Sequence, residues 1–131
     1  MNGIDYLLDT NFILGLLKSS PETLALINNR QIKSHQCAYS AITRMELLGF
    51  PGITSAEELL IQQKLAWLIH LAITASVEDI AIRLRRIRKV KLPDAIIAAT
   101  ALSVGAELVT FDRQLQCVFA DELAAQATKS I

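Results

Sequence analysis

Residues 6–17 read YLLDTNFILGLL, and this stretch joins a strand pattern to a helix pattern. The apolar run Tyr6–Leu8 is suited to a short buried strand, and from Phe12 the apolar residues recur at helical spacing. Asp9 therefore falls at the carboxyl end of the strand, which is the edge where ligand crevices form in open α/β sheets. An acid at this position predicts either a helix N-cap, the commoner role of an isolated Asp, or one member of a functional site.

The length and composition indicate a single folded domain over residues 1–131. Hydrophobic residues make up 52% of the chain and the mean hydropathy is +0.36, enough for a sizeable core. Thirteen basic and thirteen acidic side chains cancel, so any attraction to nucleic acid must come from local clustering. No apolar run approaches the roughly 20 residues that span a bilayer, and the amino terminus lacks a secretory pattern. We therefore expect a cytoplasmic protein, in which the isolated Cys37 and Cys117 are reduced thiols.

Strand and helix patterns alternate along the rest of the chain. We expect Ser20 to cap a helix, capping boxes beginning at Ser55 and Ser76 to open two more, and Gly49 and Gly105 to end helices. Alternation of short strands with helices predicts an α/β fold with a mainly parallel sheet. The predicted strands cover residues 6–8, 37–40, 70–74 and 107–110, and the predicted helices cover residues 12–17, 21–29, 41–48, 55–68, 76–87 and 92–104, with a helix or fraying tail over 121–131.

Three further acids lie in places comparable to that of Asp9. Asp112 directly follows a predicted strand, Asp94 lies in the first turn of a helix, and Glu46 lies in mid-helix, where a solvated role is commoner. If the four carboxylates converge, they repel one another and raise one another's pKa values, which a hard cation such as Mg²⁺ or Mn²⁺ relieves. The chain offers no nucleophilic triad and no glycine-rich phosphate loop. The acids therefore predict metal-assisted hydrolysis of a phosphoester.

The segment between residues 83 and 91 is rich in arginine and lysine. One interpretation is a solvated helical face, which is the usual role of a run of charges. The other is a surface that contacts RNA phosphates, because few acids accompany the run in the sequence. The basic residues are Arg83, Arg85, Arg86, Arg88, Lys89 and Lys91.

Four motifs together resemble the PIN-domain ribonucleases, particularly the VapC-like toxins of type II toxin–antitoxin systems. The motifs are LDTN at 8–11, RMEL at 44–47, LPDAIIAATA at 92–101 and LVTFD at 108–112. The resemblance implies a Rossmann-like α/β/α sandwich with a mainly parallel sheet and an endoribonuclease activity that depends on Mg²⁺ or Mn²⁺. It also implies a homodimer and a small antitoxin that blocks the site.

The resemblance assigns roles to seven polar residues. The three principal acids and a fourth, more variable acid would form the metal site, with the first and third acids as the main ligands, directly or through water. Two hydroxyls and a small polar residue would support them. The matching residues are Asp9, Glu46 and Asp94 as the principal acids, Asp112 as the fourth, Thr10 and Thr110 as the hydroxyls, and Asn11 as the small polar residue.

Other functions remain compatible with the sequence. The chain could be a housekeeping RNA-processing nuclease, or a non-catalytic module that binds RNA or an antitoxin. An aspartyl-nucleophile phosphatase is disfavoured because that chemistry normally needs a second Asp two residues after the first, where Asn11 stands. Apolar residues of a predicted helical hairpin could bind an antitoxin helix or a second subunit, although core burial is commoner. These residues are Leu47, Phe50, Leu60 and Trp67.

Overall fold

The computed structural model describes residues 3–129 and contains one sheet of four parallel strands. In chain order the strands are β1 (Tyr6–Leu8), β2 (Cys37–Ser40), β3 (Ile69–Leu71) and β4 (Glu107–Val109), and their order across the sheet is β3-β2-β1-β4. The two central strands are therefore β1 and β2. Every pairing is parallel, so all four carboxyl ends lie at one edge. This confirms the predicted α/β fold with a parallel sheet.

Seven α-helices connect and follow the strands in the part of the chain that the structure describes. None of them is long and apolar enough to cross a membrane. A short 3₁₀ helix at Ser34–Gln36 precedes β2. The helices are α1 (Thr10–Leu17), α2 (Pro21–Arg30), α3 (Ala41–Leu48), α4 (Ser55–Leu65), α5 (Ala75–Arg88), α6 (Leu92–Val104) and α7 (Arg113–Lys129).

Two apolar clusters cover the two faces of the sheet. Because successive side chains of a strand point to opposite faces, Leu7 joins one cluster and Leu8 the other. The Leu7 cluster contains the buried residues of α5, α6 and α7, and the Leu8 cluster contains those of α1, α3 and α4. Helix α6 lies deepest, with Ala95, Ala98 and Ala99 fully buried. The result is a three-layer α/β/α sandwich.

The capping residues of two helices differ from the predicted ones. Thr54, rather than Ser55, caps α4, where its hydroxyl accepts the Glu57 N–H and the Glu57 carboxylate accepts the Thr54 N–H. Thr74, rather than Ser76, caps α5 and accepts the Val77 N–H at 3.2 Å. Thr and Ser have similar capping preferences, so a sequence that offers both leaves the register open.

Helix α3 presents a different face to the core from the one its sequence suggests. Ile42, Met45 and Leu48 share one face of α3 by helical spacing, but Met45 is 53% exposed, while Thr43 and Leu47 are buried. The helix contacts α1, α4, α6 and β2, so it is enclosed on several sides. A polar threonine therefore lies on the inner side of α3.

The C-terminal segment is helical over a longer stretch than predicted. Helix α7 begins at Arg113, eight residues before the expected start, and runs to Lys129. The predicted tail also included Ser130 and Ile131, which lie outside the described residues. The inner face of α7 has helical spacing and carries Leu115, Val118, Phe119 and Glu122. No fifth strand is present between residues 3 and 129.

Candidate active site

Asp9 lies at the junction of β1 and α1 and is only 5% exposed. Its Oδ1 accepts the Phe12 N–H at 2.7 Å, which caps α1, and its Oδ2 accepts the Thr110 hydroxyl at 2.5 Å. Burial raises the pKa of Asp9 above its usual value, the two hydrogen bonds oppose that rise, and the nearby charges of Asp94 and Asp112 add to it. Asp9 is therefore a helix cap and a member of an acidic cluster at once.

Thr110 connects the β4–α7 turn to Asp9. Its buried hydroxyl donates to Asp9 and accepts the Asp112 N–H at 3.0 Å. The side-chain amide of Gln116, in the first turn of α7, donates to the Thr110 carbonyl at 2.6 Å. Gln116 was missed from the sequence, because nothing local indicates that a polar residue of α7 returns to the end of β4.

Glu46 is held by a chain of two threonines. Thr10 Oγ1 lies 2.7 Å from Glu46 Oε1 and 3.0 Å from Thr43 Oγ1. A hydroxyl has one proton, so when Thr10 donates to the ionised Glu46 it must accept its second hydrogen bond from Thr43. Thr43 lies one helical turn before Glu46 on α3, and that spacing is the sequence signal that could have identified it.

Asp94 lies in the first turn of α6 and is partly buried. Burial raises its pKa, the negative charges of Asp112 and Glu46 raise it further, and Lys91 lowers it. Asp94 is therefore close enough to Asp112 and Glu46 to feel their charges, and its own charge acts in turn on Asp9. Four separate chain segments thus supply one cluster at the carboxyl edge of the sheet.

Asp112 is exposed and precedes α7, where its Oδ1 accepts the Leu115 N–H at 3.1 Å. With Asp94 it lines a recess of about 160 Å³, to which Lys89 and Lys91 also contribute. Asn11 is exposed in the first turn of α1 and lines a separate recess beside Phe111, described below. The structure therefore brings the four acids and both hydroxyls together and places Asn11 at their margin.

The charge balance of the cluster suits a divalent cation. Among the ion pairs of residues 3–129, none includes any of the four acids. No group of three or more His, Cys, Asp or Glu side chains in that range is arranged to hold a metal ion. Mg²⁺ typically keeps several waters and is bound by one or two carboxylates, so two of the acids could hold it. The oxygen donors and the raised pKa values of Asp9 and Asp94 fit such an ion.

The basic run is only partly available to a ligand. Arg83 and Arg88 both pair with Glu122, a residue of α7 that is 5% exposed, and the Arg88 Nη2 to Glu122 Oε2 distance is 3.3 Å. Few acids accompany the run in the sequence, but an acid from a distant part of the chain pairs with two of its arginines. The basic residues that remain exposed are Arg85, Arg86, Lys89 and Lys91.

The apolar residues considered for partner binding also divide into two groups. Leu47 is 4% exposed and belongs to the core, so it is not available to a partner. Phe50, Leu60 and Trp67 are each at least half exposed, at 66%, 50% and 73%. These three residues remain as a candidate docking surface around α4.

Comparison with known proteins identifies the family. The model of the PIN domain family matches residues 6–120, a segment that includes all four acids. The fold is similar to a chain of a toxin–antitoxin complex from Klebsiella pneumoniae, at 30% identity and a TM-score of 0.70, covering 81% of this chain and 85% of that one. A comparison with curated proteins gives no significant match.

Two VapBC structures are also similar. DNA-bound VapBC from Salmonella typhimurium contains a chain with 25% identity and a TM-score of 0.71, covering 86% of this chain and 91% of that one. VapBC-1 from nontypeable Haemophilus influenzae contains a chain with 23% identity and a TM-score of 0.73, covering 90% of this chain and 94% of that one. The family model and the 30% identical structure together establish that this chain belongs to the PIN-domain family of nucleases, as a VapC-like member.

Proposed function

We propose that this chain is a divalent-metal-dependent endoribonuclease and the toxin of a toxin–antitoxin pair. The observation that carries the proposal is the cluster of Asp9, Glu46, Asp94 and Asp112. Burial raises the pKa values of Asp9 and Asp94, and the like charges of neighbouring acids of the cluster raise them further. A PIN-family nuclease has a use for this arrangement, because the cation that relieves the repulsion also serves phosphodiester hydrolysis.

In this proposal Asp9 and Asp94 hold Mg²⁺ or Mn²⁺, directly or through water, and Glu46 and Asp112 complete the acidic cluster. A metal ion held there would supply a water of lowered pKa for hydrolysis of the phosphodiester and would offset negative charge in the transition state. The Phe12 N–H and the Thr110 hydroxyl each hold one oxygen of Asp9, so its orientation is set before the metal binds. This preorganisation favours binding of the metal in one geometry.

Glu46 is oriented in a comparable way. Thr10 donates to Oε1, and Thr43 supports Thr10 from the interior. Each carboxylate oxygen has two lone pairs, so Oε2 can accept a hydrogen bond from water or a metal-bound water. We assign Thr10 and Thr110 supporting roles in the site, and Thr43 acts through Thr10.

The RNA backbone would approach along the basic residues that remain exposed. Lys89 and Lys91 share a recess with Asp94 and Asp112, so they can contact phosphates close to the acids. Arg85 and Arg86 are exposed one turn earlier on α5. A single-stranded RNA would thereby gain local attraction from a chain that carries no net charge.

A small antitoxin would restrain the enzyme. The Klebsiella pneumoniae and Salmonella typhimurium relatives were solved in toxin–antitoxin assemblies. A basic side chain of such a partner would meet four acids that take part in no ion pair among the described residues. An apolar recess of about 280 Å³ adjoins Glu46, and the exposed Phe50 lies at it and could anchor an antitoxin helix. We also propose a homodimer and, given an RNA substrate, action in the cytoplasm.

The metal site is tested by RNA cleavage with purified protein. Wild-type protein with Mg²⁺ or Mn²⁺ should cut total RNA, and EDTA should abolish the cleavage. Asp9→Asn and Asp94→Asn should fold normally, and their cleavage activity should fall by more than roughly 100-fold. Removal of a residue that only hydrogen-bonds a metal ligand already lowers activity by up to about 100-fold, so loss of a ligand itself should have a larger effect.

The matched control is Asp121→Asn, which removes an exposed carboxylate on α7 outside the cluster. This variant should cleave RNA as the wild type does. Undiminished cleavage by folded Asp94→Asn protein would show that the acids do not hold the metal.

A further inference from the structure

Phe111 is a large apolar side chain that is not buried in the core. It is 47% exposed, although Thr110 before it is buried and hydrogen-bonded to Asp9. Asp112 follows it directly. The β4–α7 turn thus presents an aromatic ring to solvent between two residues of the acidic site.

The ring of Phe111 is held in place by the interior. It packs on Phe12 with a centroid separation of 5.5 Å and an interplanar angle of 35°, and Phe12 is 1% exposed. The Phe12 N–H is itself bonded to Asp9. The contact with the buried Phe12 limits the freedom of the exposed ring, so binding a planar ligand would cost less ordering entropy.

A recess of about 240 Å³ adjoins the ring, and its walls carry polar groups. The side-chain amide of Asn11 has no hydrogen-bond partner among the residues that the structure describes, so its donors and its acceptor can both serve a ligand. Lys18 and Glu22 place one cation and one carboxylate at the same recess, and Ser20 adds a hydroxyl. An aromatic surface with an adjacent amide matches the face and the edge of a nucleobase.

We propose that Phe111 and Asn11 form a subsite for one unpaired nucleobase next to the phosphate that is cleaved. The inference rests on the proposed function and specifies its substrate as single-stranded RNA with a splayed base at this position. Bases of single-stranded RNA stack on exposed aromatic rings and use their edges for hydrogen bonds. Phe111 supplies the stacking surface, Asn11 contacts the base edge, and Lys18 contacts the backbone.

The first test measures binding without cleavage. Anisotropy of a labelled single-stranded oligoribonucleotide is followed in an Asp94→Asn background that also carries Phe111→Ala, Phe111→Trp or Leu123→Ala. Phe111→Ala should weaken binding by about 5- to 150-fold, the range for one stacked base. Phe111→Trp should keep the affinity, because it keeps an aromatic face. Leu123→Ala truncates an exposed apolar residue of α7 away from the site and should have no effect.

The second test removes the base instead of the ring. Oligoribonucleotides with one abasic position are scanned across the mapped cleavage site. At one position, removal of the base should weaken binding to the protein that carries Phe111. The same removal should hardly weaken binding to the Phe111→Ala protein, because both changes delete the same contact. Asn11→Ala should alter which base is preferred at that position, and hence KM more than kcat.

The outcomes separate this inference from the function on which it depends. If Phe111→Ala binds RNA as tightly as Phe111→Trp, or if ring and base deletions add at every position, the subsite is refuted while cleavage by the wild type still stands. Equal losses on intact and abasic substrates would make Phe111 a structural residue and also refute it. If the wild-type chain neither binds nor cuts RNA, the proposed function itself fails.

Discussion

Asp9 uses its two carboxylate oxygens for different purposes. One accepts a helix N–H and the other accepts a threonine hydroxyl from the end of the neighbouring strand β4. The two interpretations offered by the sequence, a cap and a site residue, are therefore compatible. The same carboxylate can cap α1 and keep lone pairs for a ligand, because each oxygen accepts more than one interaction.

The raised pKa of Asp94 predicts how stability depends on pH. In the unfolded chain an Asp ionises near pH ~4, whereas folded Asp94 keeps its proton to higher pH. As pH rises from below the unfolded pKa, the unfolded state releases this proton first, so the free energy of unfolding falls until the folded pKa is passed. Asp94→Asn should therefore melt at a higher temperature than wild type at pH 7 without metal, and the two should converge below roughly pH 4.

Thermal melts in EDTA across this pH range, with Asp121→Asn as the exposed-acid control, measure the effect. Added Mn²⁺ should then raise the melting temperature of wild type more than that of Asp94→Asn, because a ligand stabilises the state that binds it. If the metal-free Asp94→Asn protein instead melts below wild type at pH 7, the role of Asp94 is to stabilise the first turn of α6.

The packing of α7 against α5 determines which basic residues of α5 are free to contact a ligand. Glu122 is buried between Arg83 and Arg88, which lie five positions apart on α5. A buried carboxylate without these partners would carry a large desolvation cost. Two of the six basic residues therefore support the packing of α7, and the exposed members of the run are left to contact RNA.

We expect Arg85→Gln/Arg86→Gln to weaken RNA binding and flatten its salt dependence. Each lost phosphate contact should lower the slope of log affinity against log salt by roughly 0.7 for single strands. Binding to a single-stranded oligoribonucleotide is measured over a salt series. The control Lys33→Gln removes an exposed charge before β2, at the opposite edge of the sheet, and should leave the slope unchanged. An unchanged slope in the double variant would show that Arg85 and Arg86 are only solvated and do not contact RNA.

The whole molecule combines an acidic edge of the sheet with exposed apolar residues around α4. The acidic edge would suit both a metal ion with RNA and the basic side chain of an inhibitor. The apolar residues, Phe50, Leu60 and Trp67, are more exposed than the core requires. Phe50 lines a recess with Glu46, so a partner that buries Phe50 could also cover the acids.

Expression of the wild-type chain alone should therefore slow growth, while Asp94→Asn expressed to the same level should not. A small protein encoded beside it should restore growth and co-purify with the chain. Growth curves and affinity purification of the tagged chain measure both effects. If soluble, RNA-cleaving wild-type protein has no effect on growth, a housekeeping RNA-processing nuclease becomes the better description.

The sequence by itself determined the features that depend on local periodicity. Strand β1, the helix that follows Asp9 and the αL cap at Gly105 could all be predicted from a few neighbouring residues. The convergence of Asp9 and Asp112 followed as well, because carboxyl ends of parallel strands share one edge. The PIN-family motifs added the fold of the remaining segments.

Only the tertiary structure decided features that depend on residues far apart in the chain. Glu122 lies on the inner face of α7, and its burial is possible only because two arginines of α5 meet it. The support of Glu46 by Thr43, the contact of Gln116 with Thr110 and the exposure of Phe111 have the same origin. Each depends on how helices pack around the sheet, and the periodicity of one segment carries no information about the side chains that another segment will bring against it.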